Sequence, residues 1–473
     1  MTLSKIFKAY DVRGIYPEAI NETLAQQIGV AAGRFLKSQI DPAEAQDPMR
    51  QNVVVGRDMR LSSPALAKAL IKGLTASPVN VIDVGMVDTS FIYFAVNHLA
   101  CCGGIQTTAS HNPPNYNGFK FSGLHARPIG ADTGLEQIKR IAATVDFDKE
   151  TPASTGRVEQ RDLWNDYKKH VRKFLKVGRP LKIVVDASNG MAGKFMPAIF
   201  DDVKELQIIP INYETSGKFV HEPNPLVPEN MRWTQEAVKK HGADLGVCFD
   251  GDADRCMFTD EQGNLVAADI LGARMAEHFL KLSPGSPIVH DLRASKALTE
   301  HIIACGGQPV RSRVGHVFMK KLMKENDAVF GAELSAHIYY RDNWYADSGA
   351  ITFAVVVSIL SAQSKPLSAL LKPLQKYQSL GETNFHVEDK QAMMDAIKAR
   401  FGLAPGTQVD ELDGVTIDAF DSTPGGGGGW WCNVRPSNTE PLLRLNLEAK
   451  NQATLDKIAG ELKAMLGEPV KGH

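Results

Sequence analysis

Short apolar, β-branched runs alternate with stretches of helical period through most of the chain. Val53-Val54-Val55 has the pattern of a buried strand. The turn Gly56-Arg57-Asp58 follows, and Ser63-Pro64 then opens a helix as N-cap and first helical residue. Leu66, Ala67, Leu70, Ile71 and Leu74 fall on one face of that helix, and Val79 to Ile82 predicts the next strand. A β-α-β order of this kind implies parallel strands joined by right-handed crossovers.

The pattern restarts twice. Leu181 to Val185 predicts a strand, followed by Asp186 to Gly190 and a helix. Pro287 to Val289 predicts another, followed by helix near Ala297 to Ile303, strand at Pro309-Val310 and helix from Val317 to Lys324. Past about residue 375 strands become neighbours: Asn384 to Val387, Val415 to Ile417 and Leu442 to Leu447, with helices over Gln391 to Phe401 and through Leu455, Ile458, Leu462 and Leu466. Adjacent strands predict a small α+β domain with an antiparallel sheet. Gly425 to Gly429 reads as a flexible loop inside it. The expected domains are 1–155, 156–262, 263–377 and 378–473: three similar mixed-sheet α/β units, then a smaller α+β unit.

Composition narrows the class. The 473 residues are 43% hydrophobic and 23% charged, which is ordinary globular usage. Lys plus Arg number 53 against 54 Asp plus Glu, a net −1, so bulk charge favours neither nucleic acid nor an anionic membrane as partner. The six cysteines include no Cys-x-x-Cys pair, which argues against a disulfide framework or structural zinc. The longest apolar stretch, Ala350 to Ala362, is too short to span a bilayer and carries Thr352, Ser358 and Ser361. With no secretory-type apolar segment at the N-terminus, the expected location is cytoplasmic.

Four motifs carry candidate chemistry. Thr107 to Lys120 contains Ser110-His111-Asn112-Pro113-Pro114, where two prolines fix a turn and present Ser110 with little freedom. Gly118 would permit a second reversal, and Lys120 would return a cation to the serine. Gly246 to Arg255 carries Asp250, Asp252 and Asp254 at i, i+2 and i+4, which on an extended backbone places three hard oxygen ligands on one side, suited to Mg²⁺ or Ca²⁺. An EF-hand would use Glu261 at its twelfth position, but Arg255 occupies its glycine position and strand, not helix, precedes it. In Gly331 to His337, Glu333, Ser335 and His337 alternate, and on a strand they would share a face suited to a polyol. Arg435-Pro436-Ser437-Asn438-Thr439 offers a guanidinium fork, two hydroxyls and an amide to a phosphate. Tyr10 to Gly14 and His316, which opens a helix, are lesser sites.

In this order the motifs resemble those of the α-D-phosphohexomutase family, which includes phosphomannomutases and phosphoglucomutases. The resemblance spans Tyr10 to Pro441. It implies four domains around a central cleft, Ser110 as phosphate carrier beside His111, and Mg²⁺ on Asp250, Asp252, Asp254 and an oxygen carried by Ser110. It also implies a sugar loop at Glu333, Ser335 and His337, and a phosphate loop at Arg435, Ser437, Asn438 and Thr439, with Tyr10 and Arg293 contributing to substrate binding. Arg13, Lys120, Arg255 and His316 become candidates for proton transfer or charge stabilisation. The implied activity interconverts mannose 6-phosphate and mannose 1-phosphate, with glucose phosphates alongside, through a hexose 1,6-bisphosphate that also serves as activator. The partners would be small-molecule sugar phosphates, and the chain a monomer or small homo-oligomer. Phosphoglucosamine mutase, a metal-dependent phosphatase and a non-catalytic sugar-phosphate binding protein are the alternatives. Two departures from the family stand out: the glycine run at 425–429, and Arg293 where many relatives carry lysine.

Overall fold

The computed structural model describes residues 3–77, 79–146, 156–421, 428–437 and 442–470. Four sheets run in chain order. The first has six strands, Val12–Ile15, Tyr116–Ser122, Gly103–Thr107, Asn52–Arg57, Asn80–Met86 and Val158–Gln160. The second has five, Leu265–Val266, Cys256–Thr259, Leu245–Phe249, Leu181–Asp186 and Leu206–Ile211. The third has five, Gln308–Ser312, Pro287–Asp291, Phe330–Ala332, Ile338–Tyr340 and Ala346–Asp347.

These three sheets repeat one plan. An apolar central strand (Asn52–Arg57, Leu181–Asp186 or Pro287–Asp291) pairs in parallel with a strand on each side. One neighbour then turns back as an antiparallel hairpin, into Tyr116–Ser122, Cys256–Thr259 or Ile338–Tyr340. The turn of that hairpin is residues 108–115 in the first sheet, 250–255 in the second and 333–337 in the third. Three of the four chemical motifs therefore occupy the same topological position. The three expected α/β units with mixed sheets are all present.

The fourth sheet is antiparallel throughout, with six strands from Gln408–Asp410 to Pro469–Val470 and the helices Lys390–Phe401 and Gln452–Leu466 against it. Its first strand runs Gln378–Phe385, earlier than the expected Asn384 to Val387. Polar residues and a bulge at Gly381, in left-handed conformation (φ 73°), hide it from a hydrophobicity pattern. Residues 422–427, most of the glycine run, lie outside the described residues.

One apolar cluster from Val54 to Leu374 runs through the first three units, whereas the cluster from Phe385 to Leu466 belongs to the fourth alone. The fourth unit meets the third across a largely polar seam. Lys296 pairs with Asp418 at 2.8 Å, Arg311 with Asp410 at 2.7 Å, and the Val314 amide donates to Asp413 at 3.2 Å. The helix Gly349–Ser361, buried at every position, is the apolar stretch noted above. Its hydroxyls are used inside the protein: Ser358 donates to the Phe174 carbonyl at 3.1 Å, and Thr352 meets the Tyr340 hydroxyl at 2.7 Å. No helix among the described residues is long and apolar enough to cross a membrane.

Helices Glu22–Ser38 and Ser63–Thr75 pack in direct backbone contact at Gly29 and Gly73. A Cβ on Gly73 would stand 2.0 Å from the Gln26 carbonyl oxygen. Gly73→Ala raises local helix propensity by about 1 kcal/mol, yet should destabilise the protein by about 1–3 kcal/mol, because backbone must move to admit the methyl. The check is the denaturant midpoint; an unchanged or higher midpoint would show that the two helices separate freely.

Candidate active site

The three hairpin turns converge. Ser110 sits in its turn with left-handed backbone (φ 50°), buried at 4% exposure. Two backbone bonds shape the segment: Asn112 donates to the Ala109 carbonyl and, in the turn that holds both prolines, Tyr116 to that of Pro113, both at 3.0 Å. Gly118 departs from expectation. It is no reversal but lies within the strand Tyr116–Ser122, where a Cβ would come within 1.8 Å of the Val12 carbonyl oxygen, so glycine here allows close strand pairing.

Ser110 Oγ donates to Asp250 Oδ2 at 3.1 Å, and His111 Nδ1 lies 3.3 Å from Ser110 Oγ. Asp250, Asp252 and Asp254 are all buried and offer oxygens within 4.8 Å of one another. They do so from a tight turn with Ala253 in left-handed conformation (φ 58°), not from the extended backbone expected of the i, i+2, i+4 spacing. Glu261 takes no part: it accepts from Ser368 elsewhere.

Two cations meet these carboxylates. Lys120 Nζ, from the first unit, donates to Asp252 at 2.7 Å and Asp254 at 2.6 Å, so it serves the carboxylates directly rather than the serine. Arg255 Nε holds Asp250 at 3.0 Å. Burial works against the charge on Lys120, but Asp252 and Asp254 outweigh it and hold the ammonium charged. Asp252 is held below the usual carboxylate range, since the charge and hydrogen bond of Lys120, with a hydrogen bond from Thr89, outweigh its burial. Burial, then repulsion from Asp254, pushes the Asp250 carboxyl up to about 7. Asp252 Oδ1 and Asp254 Oδ1 are buried without a hydrogen-bond partner. Buried carboxylate oxygens left without a hydrogen bond in this way fit a hard divalent cation.

His111 is half-buried beside Arg255, whose guanidinium donates to its Nδ1; loss of solvent first, then the charges of Arg255, Arg13 and Lys120, keep the imidazole neutral. Arg13 donates to the Asn112 side chain and pairs with Asp11, at the edge of the serine turn. His316 begins the helix His316–Glu325, with its ring edge on Tyr10 at 5.2 Å, and is kept neutral by burial and then by Lys320.

The third turn is likewise not a strand. The chain reverses between Ala332 and Ile338, with Ala336 in left-handed conformation (φ 65°). Glu333 accepts from the Gly315 amide at 3.0 Å and from the Tyr339 hydroxyl. Ser335 is half-buried. His337 Nδ1 bonds Asp347 at 2.7 Å and groups with Asp254 and Asp347. Burial opposes its charge, but Asp254 and Asp347 outweigh that and raise its pKa.

The phosphate motif is only partly described, because Asn438 and Thr439 lie outside the described residues. Ser437 closes a backbone bond to the Leu442 carbonyl at 2.9 Å. Arg435, 2% exposed, donates to Glu382 at 3.0 Å. Arg444 reaches the same carboxylate at 2.9 Å and Arg293 at 3.2 Å, Arg293 also holding Asp291 at 2.7 Å. Three guanidiniums thus converge on one carboxylate at the seam between the third and fourth units. Arg293 holds Glu382 through one Nη atom and Asp291 through the other.

Sequence patterns missed Thr89, which donates to Asp252, as well as Asp347 and Glu382. Each belongs to a segment with no motif of its own, and nothing local marks it.

Profiles described as phosphoglucomutase/phosphomannomutase alpha/beta/alpha domains I, II and III match residues 4–149, 165–263 and 267–377, and that family's C-terminal domain matches 382–465. The chain is 39% identical over 457 residues to a phosphomannomutase of Escherichia coli K12, covering 95% of this chain and 96% of that one. It is 40% identical over 455 residues to a protein of Xanthomonas campestris pv. campestris named phosphohexose mutases, at 95% and 96% coverage. A crystal structure of a phosphoglucomutase/phosphomannomutase family protein from Burkholderia thailandensis superposes with TM-score 0.86 and 32% identity, covering 99% of both chains.

The carboxylate cluster predicts pH-dependent cation binding. Affinity for a divalent cation should climb about tenfold per pH unit below 7, as Asp250 gives up its proton, and level off above. Calorimetric titrations at about pH 6 and about pH 8 check this; equal affinities would mean that Asp250 is ionised throughout.

Proposed function

We propose, for a chain that belongs to the phosphoglucomutase/phosphomannomutase family, that it interconverts mannose 6-phosphate and mannose 1-phosphate, and glucose phosphates alongside, through a phosphoserine and a hexose 1,6-bisphosphate. The observation that carries the reading is the hydroxyl of Ser110, bonded to Asp250 within a buried cluster of three carboxylates and two cations.

The reaction moves a phosphoryl group from Ser110 Oγ to a sugar hydroxyl. The new O–P bond forms as the Oγ–P bond breaks, in line, with charge spread over the three equatorial oxygens. Lys120 and Arg255, held charged by the aspartates, stabilise that charge and are too firmly protonated to act as acids. The neutral imidazole of His316 is suited to take the hydroxyl proton, whereas the acceptor nitrogen of His111 is already taken by Arg255; His337, held charged between Asp254 and Asp347, is suited to return a proton to the leaving oxygen. Mg²⁺ on Asp250, Asp252, Asp254 and an oxygen carried by Ser110 would neutralise phosphoryl charge. Tyr10, Glu333 and Ser335 bind the sugar.

Arg435 and Arg293, with Arg444 beside them, bind the phosphate that is not transferred, and Glu382 supplies a counter-charge to all three guanidiniums. The bisphosphate then turns over, so that the second phosphate returns to Ser110 while the first takes the arginine site. Burial of the cluster keeps water from the phosphoserine.

Two experiments test the reading. Peptide mass spectrometry should find phosphate on Ser110 after treatment with hexose 1,6-bisphosphate, and Ser110→Ala should lose mutase turnover by about 10⁴-fold or more; a fully active variant would sink the mechanism. The second compares kcat/KM for the 1-phosphates of mannose, glucose and glucosamine. Mannose should lead, with glucose near it, because a loop that grips the ring away from C2 discriminates poorly between C2 epimers. A preference for the glucosamine ester by about tenfold or more would overturn the sugar assignment and leave the mutase chemistry standing.

A further inference from the structure

Behind the serine turn lies a side chain that none of the motifs includes. Arg60 is 1% exposed, and its guanidinium faces the inner side of residues 110–116. Nη1 donates to the carbonyls of Pro113 at 2.6 Å and Tyr116 at 3.0 Å. Nη2 donates to those of Ser110 at 2.8 Å and Asn112 at 2.6 Å. Nε stands 3.2 Å from Asp58, and the ring of Phe219, from the second unit, covers the guanidinium at 5.3 Å. The four N–H groups of the two Nη atoms are thus matched by four backbone carbonyls of one turn.

Those bonds act where the backbone is least willing. Ser110 is a non-glycine residue in left-handed conformation, which persists only when its surroundings over-determine it. Its carbonyl is gripped by Arg60 on one side, and on the other Gly251 of the aspartate turn comes so near that a Cβ there would lie 2.4 Å from that oxygen. The direction of Ser110 Oγ toward Asp250 therefore depends on where Arg60 pulls the turn.

The same device recurs in the other two units. At the end of each central strand an aspartate accepts from the amide two residues on: Arg60 to Asp58 at 2.9 Å, Ser188 to Asp186 at 2.9 Å, Arg293 to Asp291 at 2.8 Å. Each of these strand ends then reaches across to its own unit's hairpin turn. Ser188 Oγ donates to the Phe249 carbonyl at 2.6 Å, just before the aspartate turn, and Asp291 accepts from the Leu334 amide at 2.9 Å, inside the sugar turn. Arg60 is the first unit's form of a brace that all three units possess.

We propose that Arg60 is the positioning residue of the phosphoryl-carrying turn, fixing the angle at which Ser110 presents its phosphate to the sugar hydroxyl. Arg60 itself touches neither substrate nor the reacting atoms. The inference rests on Ser110 as phosphate carrier. Lysine at this position keeps the charge but offers three donors from one point, too few and too concentrated to span four carbonyls.

The test uses the full chain as wild type, Arg60→Lys and Arg60→Ala. Displacing the phosphoserine should lower kcat by about ten- to a hundredfold, with KM for hexose 1-phosphate changed by less than about threefold, because the sugar and phosphate side chains do not touch Arg60. Amides of the serine turn should exchange with deuterium faster in both variants, and added guanidinium ion should restore part of the kcat of Arg60→Ala. A role in folding alone would lower the yield of active enzyme, leave kcat per phosphorylated site unchanged and give no rescue; that result overturns the proposal. So does an Arg60→Lys enzyme with kcat within about threefold of wild type, since charge alone would then suffice; this variant decides the matter if Arg60→Ala does not fold. A wild-type chain without mutase turnover would instead remove the functional reading, and the exchange comparison would still decide whether Arg60 orders the turn.

Discussion

Three carboxylates buried within 4.8 Å of one another cannot stand alone. Removed from water, like charges at this range repel strongly, and each must be neutralised by a proton or a cation. The chain meets this need from two directions. Arg255 is local, one residue past the last aspartate, but Lys120 arrives from a different sheet more than a hundred positions earlier. The packing of the first unit on the second is therefore fixed by charge as well as by apolar contact. Thr89, at the start of a first-unit helix, adds both a backbone and a side-chain bond to Asp252. His337 closes the cluster from the third unit, through Asp254 and Asp347. A cleft assembled from three chain segments is the cheapest way to surround one patch of negative charge.

The repeated sheet plan explains how the segments arrive together. In each of the first three units the hairpin leaving the parallel core carries one of the motifs: the Ser110 hydroxyl, the carboxylates of Asp250, Asp252 and Asp254, and the polar groups of Glu333, Ser335 and His337. One position in the plan, used three times, holds three unrelated residue sets. Function here lies in what is placed on the turn, while the sheet below only decides where the turn goes. The fourth unit, built differently, adds its arginines across the seam.

Much of this was legible from residue order. The central strands announce themselves as unbroken β-branched runs such as Val53 to Val55, because strands covered on both faces have no polar side. Ser110 and the aspartates stand out because rigid turns and clustered carboxylates are rare outside sites. The backbone of the aspartate turn and of the Glu333 to His337 turn was misjudged for one physical reason. Ala253 and Ala336 adopt left-handed conformations that alanine seldom takes, so nothing in the residue type betrays the turn. Gly118 misled in the opposite sense, its missing Cβ serving contact rather than reversal. Arg60, Glu382 and Asp347 were silent because their importance lies in partners far along the chain, and spacing patterns report only neighbours.

The polar seam under the fourth unit has a consequence beyond the active site. The first three units share apolar surface, so they stand or fall together, whereas the fourth carries its own core and is attached largely by ion pairs such as Lys296–Asp418 and Arg311–Asp410. Charge screening does not weaken apolar burial, but pairs near the surface weaken once the screening length falls to about 8 Å, its value at physiological ionic strength. A rise in ionic strength would therefore loosen this joint before the others. Its melting would be described by two cooperative blocks, with no single free energy for the whole chain.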